Sequence, residues 1–174
     1  VAMRVMPYNA PPGGGETKPV MGIWDLKTGR LKLEVPSSMA KRISTLAVSD
    51  DGQQFAFTDE DSSNNPLAGG IVQLWRVDSP TVAIQCIGHK RPIVKLAFSA
   101  DGERLATASK DGTTRIWSTK TGQLMLSLES GEGPSAIAFG KSGSVLTCDH
   151  KVLWKWQAPK NQLPRTYFGH TNSS

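Results

Sequence analysis

Apolar and polar residues alternate along this chain in short runs that are bounded by Gly, Asp, Asn and Ser. Runs of roughly four to eight residues with a period of two indicate strands with one buried face, and wholly apolar runs of that length are typical of strands buried on both faces. No helical period of comparable length appears in the sequence. The pattern therefore predicts an all-β chain of short strands.

Three of these runs are each followed by a turn of one kind. The runs cover residues 43–49, 93–99 and 134–140. Each turn ends in a glycine, namely Gly52, Gly102 and Gly143. Glycine enters conformations with positive φ that strain a β-branched residue, which explains why this position repeats while its neighbours differ. We expect the three runs to be equivalent strands, each the innermost strand of its sheet.

A tryptophan closes the strand pattern of each repeat. The four residues are Trp24, Trp75, Trp117 and Trp156, and they stand 51, 42 and 39 residues apart. The long first interval contains a polar insert at 59–69, which has the composition of a loop. A further apolar run follows every tryptophan, and we expect it to form the outer strand of a sheet. These outer runs cover residues 31–35, 82–87, 124–128 and 163–168.

The clearest repeat is the stretch 88–117, GHKRPIVKLAFSADGERLATASKDGTTRIW. It begins with a Gly-His pair, contains two Asp-Gly turns and ends in Ile116-Trp117, and in these features it resembles a repeat of the WD-repeat family. Ser118 stands where the family has an aspartate. The stretch reads as one complete four-stranded unit, and the resemblance implies a β-propeller, a ring of four-stranded antiparallel blades.

The resemblance extends over nearly the whole chain and implies about three whole blades with a partial blade at each end. A seven-bladed ring with about 42 residues per blade needs roughly 290 residues, so we expect these residues to be a fragment of such a ring. Self-association of two copies to close one ring is the alternative. The expected units are 1–30, the second half of a blade with a Pro/Gly loop; 31–78, a blade unit with the insert; 81–119, the best-matching blade unit; 123–159, a divergent blade unit; and 162–174, the start of a next blade.

Four side chains of the clearest repeat are candidates for chemistry: His89, Thr107, Asp111 and Trp117. An imidazole, a hydroxyl and a carboxylate within one repeat could suggest nucleophilic catalysis. The resemblance implies a structural role instead, because in WD-repeat proteins these positions form a hydrogen-bonded chain that stiffens the blade. Such a chain pairs every buried polar group without any substrate. We therefore expect no catalytic residue here, and we expect the chain not to be an enzyme; on the innermost strands only Lys95 is titratable.

No pattern typical of a metal or cofactor site occurs in the sequence. It has no Cys-x-x-Cys and no His-x-x-x-His, so we expect neither a metal nor a cofactor. Cys86 and Cys148 fall in different repeats, and a disulfide between them is not expected. A chain without a disulfide framework favours an intracellular compartment, cytoplasmic or nuclear. No apolar stretch reaches about eighteen residues, so no transmembrane segment is expected.

The charge balance favours an acidic partner. Lys and Arg number 20 against 15 Asp and Glu, which gives a net charge of +5 and a pI of about 9.4. Two basic pairs, Lys41-Arg42 and Lys90-Arg91, occupy equivalent loops of adjacent repeats and are expected to form one positive patch, our candidate partner-binding surface. The expected partners are other protein subunits, acidic ones included. Nucleic acid stays open, although an aromatic fraction of 7% gives no sign of a base-stacking platform.

The function that the resemblance implies is a non-catalytic scaffold for protein–protein interaction, a propeller platform within a larger complex. Two alternatives stay open. One is a sensory or regulatory propeller attached to an enzyme in the parent chain, which catalytic motifs beyond either end of these residues would reveal. The other is a propeller that binds an acidic ligand, either nucleic acid or an anionic membrane, through the basic loop patch.

Overall fold

The computed structural model describes residues 2–6, 20–25, 27–35, 43–59, 70–130, 133–140, 143–149, 152–157 and 165–167. Within these residues it contains fifteen strands and no α-helix. The strands are β1 (Ala2–Met6), β2 (Val20–Trp24), β3 (Leu31–Val35), β4 (Ile43–Val48), β5 (Gln54–Asp59), β6 (Ile71–Arg76), β7 (Ser79–Ile87), β8 (Ile93–Phe98), β9 (Arg104–Ser109), β10 (Thr113–Ser118), β11 (Leu124–Glu129), β12 (Ala136–Phe139), β13 (Ser144–Cys148), β14 (Leu153–Gln157) and β15 (Arg165–Tyr167). The all-β class predicted from the alternation of apolar and polar residues is confirmed.

The strands form four sheets, which we number along the chain. The first sheet is β1-β2-β3, the second is β4-β5-β6-β7, the third is β8-β9-β10-β11 with β15 beside β11, and the fourth is β12-β13-β14. Consecutive strands within each sheet pair antiparallel, as short turns between neighbours require. The inner strands β4, β8 and β12 lie next to one another, so the second, third and fourth sheets meet along their inner edges, as the blades of a propeller do.

Each apolar core lies between two neighbouring sheets. Ile23 of the first sheet packs with Phe55, Phe57 and Trp75 of the second. Leu74 and Cys86 of the second sheet pack with Trp117 of the third, and Ile116 of the third packs with Val145 of the fourth. Strand β9 is buried at all six of its positions, because it contributes to the cores on both sides of the third sheet. The mostly small and apolar residues of β9 are typical of a strand that is covered on both faces.

The turn between the first two strands is the same in the second and third sheets. Gly52 and Gly102 have φ of 66° and 68°, and each donates its N–H to the carbonyl of the serine three residues earlier at 2.8 Å. That serine, Ser49 or Ser99, donates its hydroxyl to the aspartate two residues on at 2.5 Å. The positive φ expected at these turn glycines is therefore present, and Gly143 shares it at 73°.

The sheets do not coincide with the sequence repeats, so the expectation that residues 88–117 form one complete four-stranded unit is wrong. The stretch 88–117 contributes three strands, not four, and its sheet is completed by β11, which follows Trp117. The reason is local, because a short hairpin after β10 brings the next run alongside it. The outer strands of the first, second and third sheets, β3, β7 and β11, each follow a tryptophan in this way.

The run 163–168 was expected to form the outer strand that follows Trp156. Its described part, β15, is an edge strand, but it pairs parallel with β11 in the third sheet and does not join the sheet of Trp156. The free N–H and C=O groups along an outer sheet edge accept an extended segment in either direction, so apolar alternation alone does not select which edge is paired.

Among the described residues, no helix is long and apolar enough to cross a bilayer.

Candidate functional site

One end of the third sheet brings the four candidate side chains into contact. His89 lies on the loop between β7 and β8, Thr107 on β9, Asp111 in the turn between β9 and β10, and Trp117 on β10. The Trp117 indole N–H donates to the Thr107 hydroxyl at 2.8 Å. The His89 Nε2 lies 2.7 Å from the same hydroxyl, and the His89 Nδ1 lies 2.8 Å from Asp111 Oδ2. The four groups therefore form one continuous chain of hydrogen bonds.

The environment of His89 decides which atom donates in each of these hydrogen bonds. His89 is 3% exposed. Burial lowers the pKa of His89 and outweighs the opposing effect of Asp111, so the ring is neutral at physiological pH. Burial tends to raise the pKa of Asp111, but the hydrogen bonds from His89, Thr113 and the Lys90 N–H lower it well below its usual range. The ionised carboxylate accepts from His89 Nδ1–H. Nε2 then accepts from the Thr107 hydroxyl, which itself accepts from Trp117.

The same aspartate holds the loop 88–92 against the sheet. Its carboxylate accepts from the Lys90 N–H at 3.0 Å, from the Thr113 N–H at 2.9 Å and from the Thr113 hydroxyl at 2.7 Å. Two further bonds tie this loop to the β9–β10 turn. Ser109 Oγ donates to the Arg91 carbonyl at 2.8 Å, and the Lys110 N–H donates to the Pro92 carbonyl at 2.9 Å. The loop is thus bonded to the sheet at five points, namely both ring nitrogens of His89, the Lys90 N–H and the carbonyls of Arg91 and Pro92.

Two of the four predicted basic side chains lie on this fixed loop. Lys90 and Arg91 are exposed, and Arg91 also donates to the Lys110 carbonyl at 3.1 Å. Lys41 and Arg42 lie outside the described residues, so the expected joining of the two pairs into one patch stays a prediction.

Two exposed isoleucines beside the loop were missed from the sequence. Ile71 and Ile87 pair across β6 and β7, at the end of the second sheet from which the chain enters the loop 88–92. They are 36% and 62% exposed. The signal for them was present in the sequence, because each isoleucine adjoins a glycine at a strand end, Gly70 or Gly88. We use the term "rim" for Ile71, Ile87, Lys90 and Arg91.

The other sheets carry only parts of the hydrogen-bonded chain. In the fourth sheet the Trp156 indole donates to Thr147 Oγ1 at 3.0 Å. In the second sheet Phe57 takes the place of Thr107, and the Trp75 indole N–H has no hydrogen-bond partner among the residues that the structure describes. Phe55 instead stacks between Trp75 and Phe57, with ring centroids 6.2 and 6.3 Å away. Phe57 and Thr107 are equivalent positions in the sequence, because each lies five residues after the turn glycine of its sheet, Gly52 or Gly102.

Within the described part of the chain, no three His, Cys, Asp or Glu side chains lie close enough to hold a metal ion. Both cysteines are free, and burial raises the pKa of Cys86 to about 12. On the innermost strands Lys95 is exposed on β8.

Comparison with known proteins agrees with this geometry. Residues 81–118 match the family described as "WD domain, G-beta repeat". The chain is 24% identical over 156 residues to the rat apoptotic protease-activating factor 1, covering 84% of this chain and 12% of that protein. It is 30% identical over 105 residues to the Saccharomyces cerevisiae COMPASS component SWD3, covering 59% of this chain and 30% of that protein. The chain thus spans less than a third of either relative.

A solved structure has a similar fold. It is described as a complex of KlAtg21 with the coiled-coil of AgAtg16, and it superposes with a TM-score of 0.68 at 17% identity. The match covers 86% of this chain and 47% of that one. At this identity the likeness concerns the fold, a propeller-like stack of antiparallel sheets.

Proposed function

We propose that this chain is a divergent member of the WD-repeat family and that it acts as a non-catalytic protein-interaction scaffold, a propeller platform within a larger complex. The observation that carries the proposal is the hydrogen-bonded chain from Trp117 to Asp111. It fixes the loop 88–92 and so presents Lys90 and Arg91 on a rigid support. A preorganised loop binds a partner with less loss of conformational entropy than a free one.

The hydrogen bonds from Trp117 to Asp111 also support a non-catalytic role. A general base needs a nitrogen that reaches a substrate, and both ring nitrogens of His89 are already bonded within the protein. The Thr107 hydroxyl is fully buried and has both an indole donor and an imidazole acceptor, so it is not available as a nucleophile. The most catalysis-like residues of the described chain are therefore committed to structure.

The rim is the surface that we propose for partner binding. Two cationic side chains stand beside two exposed isoleucines, and this combination suits a partner segment that carries carboxylates next to apolar side chains. Relatives support a role in assemblies, since one is named as a component and the structural neighbour was solved in a complex with a coiled coil. We also propose an intracellular location, which two free cysteines support.

A second candidate function has its own support. One relative, which matches 84% of this chain, is named an apoptotic protease-activating factor, and the chain spans 12% of it. We infer that a regulatory propeller, joined to an effector domain in a longer parent protein, is the alternative to a free-standing scaffold.

The test is a quantitative affinity purification of the intact protein, tagged at its natural locus and compared with the double variant Lys90→Glu, Arg91→Glu. Lys155→Glu is the matched control, because Lys155 is an exposed lysine on the fourth sheet. We expect the recovered amount of the stoichiometric protein partners to fall at least about tenfold in the double variant and to stay unchanged in the control. Partners retained by the double variant would contradict the rim proposal. Nucleic acid recovered in place of protein would favour the acidic-ligand alternative.

A further inference from the structure

The guanidinium of Arg115, on β10, has no hydrogen-bond acceptor and no ion-pair partner among the described residues. The residue is partly buried. Of its side-chain nitrogens only Nε is fully covered and unbonded, so Nη1 and Nη2 reach solvent. A partly buried cation loses some of its hydration, and without an acceptor no ion pair offsets that loss. An anionic group that binds Nη1 and Nη2 from outside would therefore stabilise the guanidinium.

Two contacts hold this guanidinium in place. Its Cζ lies over the Trp117 ring, 6.0 Å from the ring centroid. It also lies against Gly88, where an added Cβ would stand 2.5 Å from Nη1. A larger residue than glycine would displace the guanidinium, so Gly88 leaves the room that it needs. Trp117 is itself fixed by its bond to Thr107, and the cation is therefore positioned before any partner binds.

The guanidinium adjoins the loop of the rim. Gly88, which it contacts, begins the loop 88–92 and stands two residues before Lys90. Its charge also acts on that loop. Burial lowers the pKa of His89 most, and the positive charge of Arg115 lowers it further. Arg115 thus adds a third cation to the two basic residues of the rim.

The neighbouring charges favour a singly charged anion. The carboxylate of Asp111, whose pKa is lowered, is ionised at neutral pH. Glu129 is exposed on the same face of the third sheet as Arg115, because the cross-strand pairs Thr113↔Glu129 and Arg115↔Ser127 are two residues apart. Two nearby carboxylates repel a phosphate, which carries about two negative charges, more strongly than a carboxylate. The planar fork of a guanidinium also matches the two oxygens of a carboxylate.

We propose that Arg115 determines the specificity of the rim by binding the side-chain carboxylate of an aspartate or glutamate in the partner protein, through Nη1 and Nη2. This inference rests on the proposed role of the rim and specifies its partner. Lys90 and Arg91 attract an acidic segment, whereas Arg115 fixes where one of its carboxylates lies. A lysine does not replace it, because an ammonium group is a point charge without the planar fork.

The probes that test the site are three capped peptides, acetyl-Gly-Leu-Xaa-Leu-Gly-N-methylamide, with Glu, Gln or phosphoserine at Xaa. Binding to the intact, ¹⁵N-labelled protein is followed by nuclear magnetic resonance at the Gly88 amide and the Arg115 Nε–H. We expect the Glu peptide to shift both signals and to bind at least about tenfold more tightly than the Gln peptide. Equal affinity for these two peptides overturns the proposal. Tighter binding of the phosphoserine peptide also overturns it and assigns the site to phosphate.

A variant pair tests Arg115 itself. Arg115→Lys keeps the positive charge but removes the fork. Arg30→Lys is the matched control, because Arg30 is an exposed arginine in the turn between β2 and β3. We expect about a tenfold loss of Glu-peptide affinity in Arg115→Lys and no change in the control. Equal affinity in the two variants would contradict the role of Arg115, and the peptide series on the unsubstituted protein decides the matter if Arg115→Lys does not fold.

The outcomes for Arg115 and for the rim can be told apart. If Lys90→Glu, Arg91→Glu loses its protein partners while Arg115→Lys retains them, the rim proposal stands and the specificity role of Arg115 is wrong. If the double variant retains its partners, the rim proposal itself fails.

Discussion

Trp117 donates its indole N–H to the hydroxyl of Thr107 at 2.8 Å, and this bond joins the central strands of the third sheet across their buried face. Thr107 and Trp117 are 0% and 1% exposed, so neither group has water as an alternative partner. The strength of the hydrogen-bonded chain therefore depends on the one hydroxyl that connects the indole to the imidazole.

Replacing that hydroxyl by a methyl group is the first test. Thr107→Val keeps the shape of the side chain but leaves the Trp117 N–H and the His89 Nε2 without partners. We expect the free energy of unfolding to fall by about 3 kcal/mol, because each buried unpaired group costs about 1–3 kcal/mol. Urea denaturation measures this as a lower midpoint at an unchanged slope. Thr121→Val, at an exposed turn residue, is the control; equal midpoints for the two variants would contradict the prediction.

Acidification should weaken the fold in two stages. The pKa of His89 is lowered in the folded protein from its usual 6.5, so below about pH 6.5 the unfolded chain binds the proton more readily and stability falls with falling pH. The pKa of Asp111 is also lowered, from its usual 3.8, so a second loss follows below about pH 4 as the unfolded chain takes up that proton first.

Thermal unfolding between about pH 7.5 and pH 3 measures both losses. In His89→Gln the upper loss should shrink while the lower one persists, since the variant removes the buried imidazole and retains Asp111. A midpoint for the unsubstituted protein that rises between about pH 6.5 and pH 5 would show that His89 is protonated in the fold, contrary to the assignment.

Two glycines with the same backbone conformation allow the cost of a positive φ to be measured apart from the cost of a close Cβ contact. Gly29 and Gly102 have φ of 67° and 68°, but a Cβ on Gly29 would meet nothing within 4 Å, whereas a Cβ on Gly102 would stand 3.0 Å from Gln54 Nε2. We expect Gly29→Ala to cost about 1 kcal/mol from the left-handed conformation alone. Gly102→Ala should cost about 2–3 kcal/mol, because the 2.9 Å hydrogen bond from Gln54 Nε2 to the Gly102 carbonyl, which links the second and third sheets, must also move. Equal losses in chemical denaturation would show that this link adds nothing.

The two cysteines should differ in reactivity. Burial raises the pKa of Cys86 to about 12, and the residue is fully buried, so almost no thiolate is available at neutral pH. Cys148 is only partly buried. We expect a colorimetric thiol reagent to modify Cys148 in the folded protein and Cys86 only when denaturant is added. Rapid modification of Cys86 under native conditions, located by peptide mass spectrometry, would contradict its placement in the core.

The turns and inner strands could be predicted from the sequence because their signals are local. A glycine that needs positive φ and an alternating run beside it specify a hairpin without knowledge of the rest, as at Gly52 and Gly102. The partner of β15 could not be predicted, since an open edge accepts many extended segments. The contacts between sheets could not be predicted for a related reason. Gln54 Nε2 donates to the Gly102 carbonyl of the next sheet, and Arg104 lies against Gly143 of the sheet after it. The distance between two sheets is not encoded by the spacing of residues in either one.

Strand β9 has all six residues buried between the cores that the third sheet shares with its two neighbours. Water can reach its amides only when both of those cores separate from the sheet. In hydrogen exchange these amides should therefore be the slowest of the described chain, and their rate should report the opening of the whole array of sheets rather than the fraying of one. The exchange rate of the β9 amides therefore indicates how many sheets unfold together.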